Sequence, residues 1–400
     1  MVVVRGLRIL LDFFRKGSIA IIFLSKYYLL GTSIGNTIYS IYKDLKYDTG
    51  FRNTEIDFFR TTVADPDQIK YKINQNSFGY QYTQMGRIET GDFPAAAVRF
   101  EHYYVYTSLY DHFVNGAAWS ETAYYTMAFD QVDATDLGWS QIPDYETLET
   151  FFANLDDLYE SLSADGYLTY DELNQHTGGG LFSFIREPIN AHDEVFIDIG
   201  RNGELLLTDG RHRTAMAKIL SLDAIPVRIL ARHREWCGFR HDLLQAIRSD
   251  ASGMSKYPIA HPEFEHLESH YEPEPLVERI VSVVDPGQGP IVEFDPGVSG
   301  TLLCELAKEG YEVIAVVTDS THKRYLKWYA EFQSVSLSIR DPAELDETLS
   351  DCTLIALDPV DRIDAAKCID RTDAGQVITT DKSSYQDRFD ETVAYVEIPQ

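Results

Sequence analysis

Residues Glu194–Trp236 read EVFIDIGRNGELLLTDGRHRTAMAKILSLDAIPVRILARHREW, and their pattern decides the fold of the region around them. Val195–Ile199 and Glu204–Leu207 are short apolar runs joined by Gly200-Arg201-Asn202-Gly203, whose Asn-Gly pair signals a hairpin. Thr208-Asp209-Gly210 then breaks the strand pattern, and Arg211–Leu220 sets Ala215, Met216, Ile219 and Leu220 on one side of a helix. Ile225–Leu230 returns as a strand. Strand, glycine turn and helix start are thereby brought to one point.

That point suits an anion. The first amides of a helix lack partners within it, and the helix dipole favours negative charge there. Gly210 allows close backbone approach, and Arg211 and Arg213 carry forked donors suited to phosphate oxygens. His212 can donate a hydrogen bond or pass a proton, and Asp209 can hold a cation or orient a hydroxyl. Thr214 completes the candidate phosphate-binding set. A second reading stands beside this one on spacing alone: Asp209 caps the helix and the arginines pair with acids of the same chain. Arg87, Arg232 and His233 are secondary candidates for the edge of the same site, with Gly86 and Asp92 near Arg87. Glu187 and Asp198 are further acids, but spacing selects no general base among them, because proton-transfer geometry comes before pKa.

The run Thr208–Val227, TDGRHRTAMAKILSLDAIPV, resembles the nucleotide-phosphate motif of the ParB/sulfiredoxin superfamily, in which a Gly-(basic/His)-Arg turn opens a helix and an Ile-Pro-Val strand returns. Leu155–Leu173, LDDLYESLSADGYLTYDEL, resembles the helix that precedes that motif, and the strand expected within Asp65–Ile73 resembles the family's first. The likeness covers Thr61–Arg240, interrupted by an insertion around residues 95–145, and is closer to the DGHHR-type members, which include a free serine kinase, than to the partition proteins with their GERRxRA signature. It implies a pocket for a nucleotide (ATP, ADP or CTP) or a phosphorylated small molecule, accompanied by a divalent metal. Asp209 and His212 would take the catalytic roles there, and Gly210, Arg211, His212, Arg213 and Thr214 the binding roles. Two departures narrow this. Arg211 stands where sulfiredoxin has its reactive cysteine, so sulfinic-acid reduction is not implied; no basic helix pair follows Trp236, so DNA segregation is not implied either.

Past Ser252–Pro275, which reads as a linker, Ile291–Phe294, Thr301–Lys308 and Val313–Val317 form a strand-helix-strand unit. VEFDPGVSGTLLCELAKEGYEVIAVVTDS (Val292–Ser320) resembles the first motif of class I S-adenosylmethionine-dependent methyltransferases, with Glu293 ending the first strand and Thr353–Pro359 resembling the fourth. The family's E-x-G-x-G-x-G becomes Glu293-Phe294-Asp295-Pro296-Gly297-Val298-Ser299. A carboxylate at Asp295, where backbone must approach the cofactor, is expected to crowd and repel it. The expectation is therefore a retained Rossmann-like fold without S-adenosylmethionine binding or methyltransferase activity, serving dimerisation or partner binding.

Length and charge agree with several domains. Four hundred residues exceed one ordinary core, and 44% hydrophobic with 24% charged residues is globular composition. A net charge of −28 repels phosphate backbones, so nucleic acid is not an expected partner. The acids are spread along a lysine-poor chain, as in proteins adapted to high salt or in an ordinary acidic cytosolic protein. Cys237, Cys304, Cys352 and Cys368 form no CxxC pair, which fits a reducing compartment and neither a disulfide framework nor a zinc knuckle.

Residues 1–46 run against the overall charge, with Arg5, Arg8, Arg15, Lys16, Lys26, Lys43 and Lys46 against Asp12 and Asp44. Leu7, Leu10, Leu11 and Phe14 make one apolar stripe, so the segment reads as a basic amphipathic and apolar arm that lies on an anionic membrane surface or packs on its own core. Lys26 sits near the centre of its apolar stretch, against a transmembrane helix. The expected organisation is a helical arm (1–50), a ParB/sulfiredoxin-like α+β domain (51–250), a linker (251–275) and a Rossmann-like α/β domain (276–400): mixed α/β throughout. The expected function is nucleotide or phosphate binding with phosphotransfer or nucleotide hydrolysis. Its alternatives are a non-catalytic nucleotide-sensing or scaffold protein and, third, a DNA-binding protein. The chain is expected in the cytoplasm, peripheral at the inner membrane face, with homo-oligomers allowed.

Overall fold

The structure, a computed structural model, describes residues 61–73, 86–91, 97–133, 144–167, 195–249, 259–265, 267, 273–284, 287, 289–297, 300–345, 350–356, 373–379 and 394–397. The basic arm, Asp92 and Glu187 lie outside them. The chain divides into two compact units, Met1–Gly238 and Phe239–Gln400.

The first unit is built on a mixed sheet of seven strands: β1 (Thr62–Ala64), β2 (Tyr71–Ile73), β3 (Arg87–Glu89), β4 (Ala97–Arg99), β5 (Val195–Ile199), β6 (Leu205–Asp209) and β7 (Ile225–His233). Its order is β1-β7-β5-β6-β2-β4, and β3 also pairs with β7. The hairpin read from Asn202-Gly203 is present: β5 and β6 are antiparallel, with Ile199 opposite Leu205 and Phe196 opposite Asp209. β7 lies parallel to β5, and β2 parallel to β6 with Lys72 opposite Leu207. Every residue of β5 is buried, as a central strand requires.

Helices cover this sheet. Tyr104–Phe113 (α1) and Ala123–Asp133 (α2) come from the inserted segment, and Tyr145–Asp165 (α3) opens on an Asp144 carboxylate that accepts the Thr147 amide. Arg211–Ile219 (α4) joins β6 to β7 and buries Thr214, Ala215, Met216 and Ala217. Arg234–Ser249 (α5) follows β7 directly, and the division between the units falls inside it.

The second unit contains Pro273–Val283 (α6), β8 (Ile291–Phe294), Thr301–Lys308 (α7), β9 (Val313–Val316), Ser320–Gln333 (α8), β10 (Ser338–Arg340), β11 (Ser350–Ala356), β12 (Asp373–Thr379) and β13 (Ala394–Glu397). All six strands are parallel in the order β10-β9-β8-β11-β12-β13. Counted from β8 this is 3-2-1-4-5-6, the doubly wound Rossmann order. Ile280, Ile291, Leu302, Leu303, Leu306, Ala315 and Leu326 pack its core. The mixed α/β class with a Rossmann-like second unit is therefore as the sequence indicates.

Part of the segment read as a linker belongs to that unit's packing. His261, Glu263 and Phe264 are buried, the Tyr329 hydroxyl accepts the Ala260 amide at 3.0 Å, and Arg240 Nε lies 3.1 Å from Glu263. Its prolines and histidines look solvated in sequence; in the structure the His261 ring sits against Phe264, Trp328 and Phe332.

Candidate functional site

The Gly210 turn is built by packing from below. Gly210 takes φ +86, a region side chains rarely adopt, and a Cβ placed there meets the Val195 Cα and Cγ2 at 2.9 Å. Glycine is required both for the left-handed turn and for the close passage over β5. Gly210, as the cap residue, brings no side chain of its own to the start of α4. Asp209 accepts the Gly210 amide at 2.8 Å, while the buried Thr214 hydroxyl donates to the Gly210 carbonyl at 3.1 Å. Both residues shape the turn, and Thr214 does so from the buried side.

Arg211 points back toward the inserted helices. Its terminal nitrogens lie 3.3 Å from the hydroxyls of Tyr103 and Tyr124, and the guanidinium lies 5.8 Å from the Tyr124 ring centre. Burial raises the Tyr124 phenol well above its ordinary value, so it stays neutral and serves as a fixed dipole. Lys72 reaches the same ring system from β2: its Nζ is 5.4 Å from the Tyr103 ring centre and donates to the Ile73 carbonyl at 3.3 Å. Burial and the neighbouring Arg211 charge lower the Lys72 pKa, while Asp209 opposes them. Two cations, one carboxylate and two phenols thus meet at this turn.

Adjacent and next-adjacent helical residues do not share a face, so Arg213 lies on another side of α4 from Arg211. The His212 Nε2 is 2.8 Å from the Tyr124 hydroxyl, and its ring stacks near Tyr124 and meets Phe151 edge-on. Burial, with Arg211 and Arg213 nearby, pushes its pKa down to about 3. Such a ring takes up no proton near neutrality, so its chemistry here is to hold Tyr124 and thereby Arg211.

The secondary candidates Arg87, Arg232 and His233 assemble elsewhere. Asp209 pairs with Phe196 at the start of β5, whereas Arg232 stands opposite Ile199 at its end. There the fully buried Asp198 accepts the Ala231 amide at 3.0 Å, with Arg87 3.9 Å away and paired also to Glu89. Burial lifts Asp198 to about 7, against the pull of Arg87. His233 is buried with Nε2 3.1 Å from the Gly91 carbonyl. Sequence proximity suggested Arg232 and His233 for the Gly210 site; the strand register sets them, with Arg87, at the other end of β5. Among the described residues no group of three His, Cys, Asp or Glu side chains is placed to hold a metal ion.

The residues missed in sequence are Lys72, Tyr103 and Tyr124. The tyrosine-rich insertion reads as core packing, and Lys72 joins the turn only through the parallel pairing of β2 with β6, which no local pattern announces.

The second unit has a comparable turn after β8. Gly300 takes φ +62 ahead of α7, and Asp295 takes φ +50. The Asp295 carboxylate lies 3.3 Å from His322 Nδ1, and His322 Nε2 lies 3.2 Å from the Gly297 carbonyl. Asp319, after β9, accepts the His322 amide at 2.7 Å as the cap of α8.

No protein-family model and no curated protein matches the chain. Among solved structures it is similar to a Pyrococcus abyssi tRNA (uracil-54, C5)-methyltransferase in complex with S-adenosyl-L-homocysteine, at 20% identity over 28% of each chain and a TM-score of 0.22. It is also similar to a mutant of MtNAS in complex with S-adenosylmethionine, at 12% identity over 62% of this chain and 78% of that one, with a TM-score of 0.23. The chain spans little more than a quarter of the first of these. The expectation that S-adenosylmethionine is shut out is corrected here, because both similar structures are complexes with that cofactor or its demethylated form. The physical ground for excluding it was also too strong. Asp295 adopts the backbone region a glycine would use, and its carboxylate is met by an imidazole instead of standing bare in the loop. At such TM-scores the likeness assigns no ligand to this chain. No helix among the described residues is long and apolar enough to cross a membrane.

Proposed function

We propose that the first unit binds the phosphate of a nucleotide or phosphorylated small molecule at the Gly210 turn, and that it does so as a sensing or scaffold module. The carrying observation is the convergence at one uncapped helix start of Arg211, fixed by two tyrosine hydroxyls, with the glycine that leaves room for backbone approach. The resemblance of Thr208–Val227 to the ParB/sulfiredoxin phosphate motif supports the same reading.

Binding is favoured over turnover by His212. Of the two residues expected to move protons or hold the reacting group, this one is enclosed and neutral, and its ring positions Tyr124. Asp209 is left as the acid at the turn, and its Oδ1 accepts the Gly210 amide.

Titration of the full chain with ATP, ADP and CTP, followed by phosphorus NMR and calorimetry, tests this reading. Saturable binding with unchanged phosphorus spectra over hours is the expected result. Turnover of any of the three would move the assignment to a phosphotransferase or nucleotidase, and absence of binding to all three and to pyrophosphate would remove it. The basic segment 1–46 gives the proposal a place of action, an anionic membrane surface, checked by sedimentation with vesicles containing phosphatidylserine.

A further inference from the structure

From Tyr104 to Asp165 the sequence contains no Lys or Arg, and His112 is its only histidine. This residue, near the end of α1, is met at both ring nitrogens by an oxygen that accepts. Nδ1 lies 2.7 Å from the Ala117 carbonyl, and Nε2 lies 3.0 Å from Asp156 Oδ1 of α3. The same Oδ1 accepts the Trp119 indole N–H at 2.9 Å. A neutral imidazole carries one N–H and would turn a bare lone pair toward one of these oxygens; only the imidazolium donates to both. The Trp119 ring adds to this, stacking on His112 at 3.9 Å with 20° between the planes, and an indole face attracts a cation.

The other titratable groups on the elements packed here are acids and a phenol. Tyr159 of α3 stacks on Phe113 at 3.8 Å, and Glu160 follows Asp156 by one turn. Glu121 accepts the Ala118 amide at the turn Trp119–Glu121, and Asp111 of α1 accepts the Asn115 side-chain amide. What the contact holds reaches the Gly210 turn through packed rings. Trp119 lies 4.8 Å from Phe152, Phe152 lies 5.5 Å from Tyr124, and the Tyr124 amide donates to the buried Ser108 hydroxyl of α1. We propose that His112 is a proton-operated clasp on the inserted helices. Charged, it fastens α1 and the Trp119–Glu121 turn to α3; neutral, it gives up one of its two bonds and loosens the segment that carries Tyr103 and Tyr124 to Arg211. The clasp therefore holds at lower pH and is lost as pH rises and the ring gives up its proton. It concerns the wall of the turn and holds whether or not a phosphate enters there.

The test uses the full chain labelled with nitrogen-15 histidine, its imidazole nitrogens followed by NMR between about pH 5.5 and about pH 9. The His112 signals are assigned by their absence in His112→Gln. Two protonated nitrogens at the acid end and one at the alkaline end are expected; a ring with one bare nitrogen throughout overturns the proposal. Amide exchange read by mass spectrometry at the same two pH values, corrected for the intrinsic pH dependence of exchange, measures the loosening. Peptides covering residues 104–124 should exchange at least about tenfold faster at the alkaline end, relative to peptides from β5. In His112→Gln that step should shrink to within about twofold. If the wild-type ring loses its proton while exchange over 104–124 keeps pace with β5, the contact fastens nothing and the proposal falls, whatever the variant does.

Discussion

Two turns in this protein share a backbone and differ in charge. The Gly210 turn and the Gly300 turn each leave a strand region, place a left-handed glycine at the helix cap, and start a helix that no side chain caps. Around the first stand Arg211, Lys72 and a pair of phenols; around the second stand Asp295 and His322, with Glu293 one residue before the end of β8. Among the described residues, only the first turn sets the cations Arg211 and Lys72 beside it. Backbone shape is therefore common to the two turns, and the neighbouring side chains give them different charge.

The largest expected difference is in what each glycine excludes. At Gly210 a Cβ meets the Val195 backbone at 2.9 Å, whereas at Gly300 it meets only the Leu326 Cδ2 at 2.6 Å, the movable end of a side chain. With the left-handed conformation costing about 1–2 kcal/mol in both, the backbone clash should take Gly210→Ala to about 3–4 kcal/mol of destabilisation and leave Gly300→Ala near 2 kcal/mol. Urea denaturation of the full-length variants measures this. Equal losses would mean that the two turns are packed alike.

Acid response sharpens the picture within the first unit, where His212 in α4 and Asp198 in β5 are shifted in opposite senses. His212 is lowered from 6.5 to about 3, so as pH falls through this window the unfolded chain takes up a proton that the folded chain refuses, and stability is lost. Asp198 is raised from 3.8 to about 7, so as pH rises through that window the folded chain holds a proton the unfolded chain has released, and stability is lost in the other direction. Between about pH 4 and 6.5 the two slopes oppose each other, each approaching about 1.4 kcal/mol per pH unit. Melting curves at several pH values should show Asp198→Asn becoming less stable on acidification and His212→Gln becoming more stable. Parallel pH profiles for the two variants would contradict the opposed assignments.

Ligand affinity separates the turns next. Arg211→Gln is expected to weaken pyrophosphate at least tenfold, about 1.4 kcal/mol, and His322→Gln to leave it within twofold. Arg213→Ala, on another side of α4, should fall between them. The smallest effect belongs to Asp295→Gly, which relieves a positive φ and gives up the His322 contact; a change within about 0.5 kcal/mol in urea is expected.

Much of the frame was legible. The Asn202-Gly203 hairpin, the glycine-to-helix step at Gly210–Arg211, the Ile225-Pro226-Val227 return and the strand-helix-strand run from Ile291 are local patterns, and each appears with its ends moved by a few residues at most. What local pattern did not carry was register. Arg232 and His233 follow the motif closely in sequence, yet nine residues of β7 take them to the far end of the sheet, beside Asp198. The tyrosines of the insertion look like core because aromatic density alone does not tell a wall from a floor; Tyr103 and Tyr124 become site residues only when α1 and α2 fold back over α4.

The amino-acid order by itself determined the elements, the glycine at the left-handed turn, the excess of acid over base and the mixed α/β class, because propensity, turn chemistry and charge act between residues close in the chain. Tertiary structure alone decided which cations meet the tyrosines of the insertion, which histidine is sealed from protons and which arginines stand apart. Those outcomes depend on strand pairing between segments more than a hundred residues distant, and on the burial that pairing creates, neither of which is written in any short stretch of sequence.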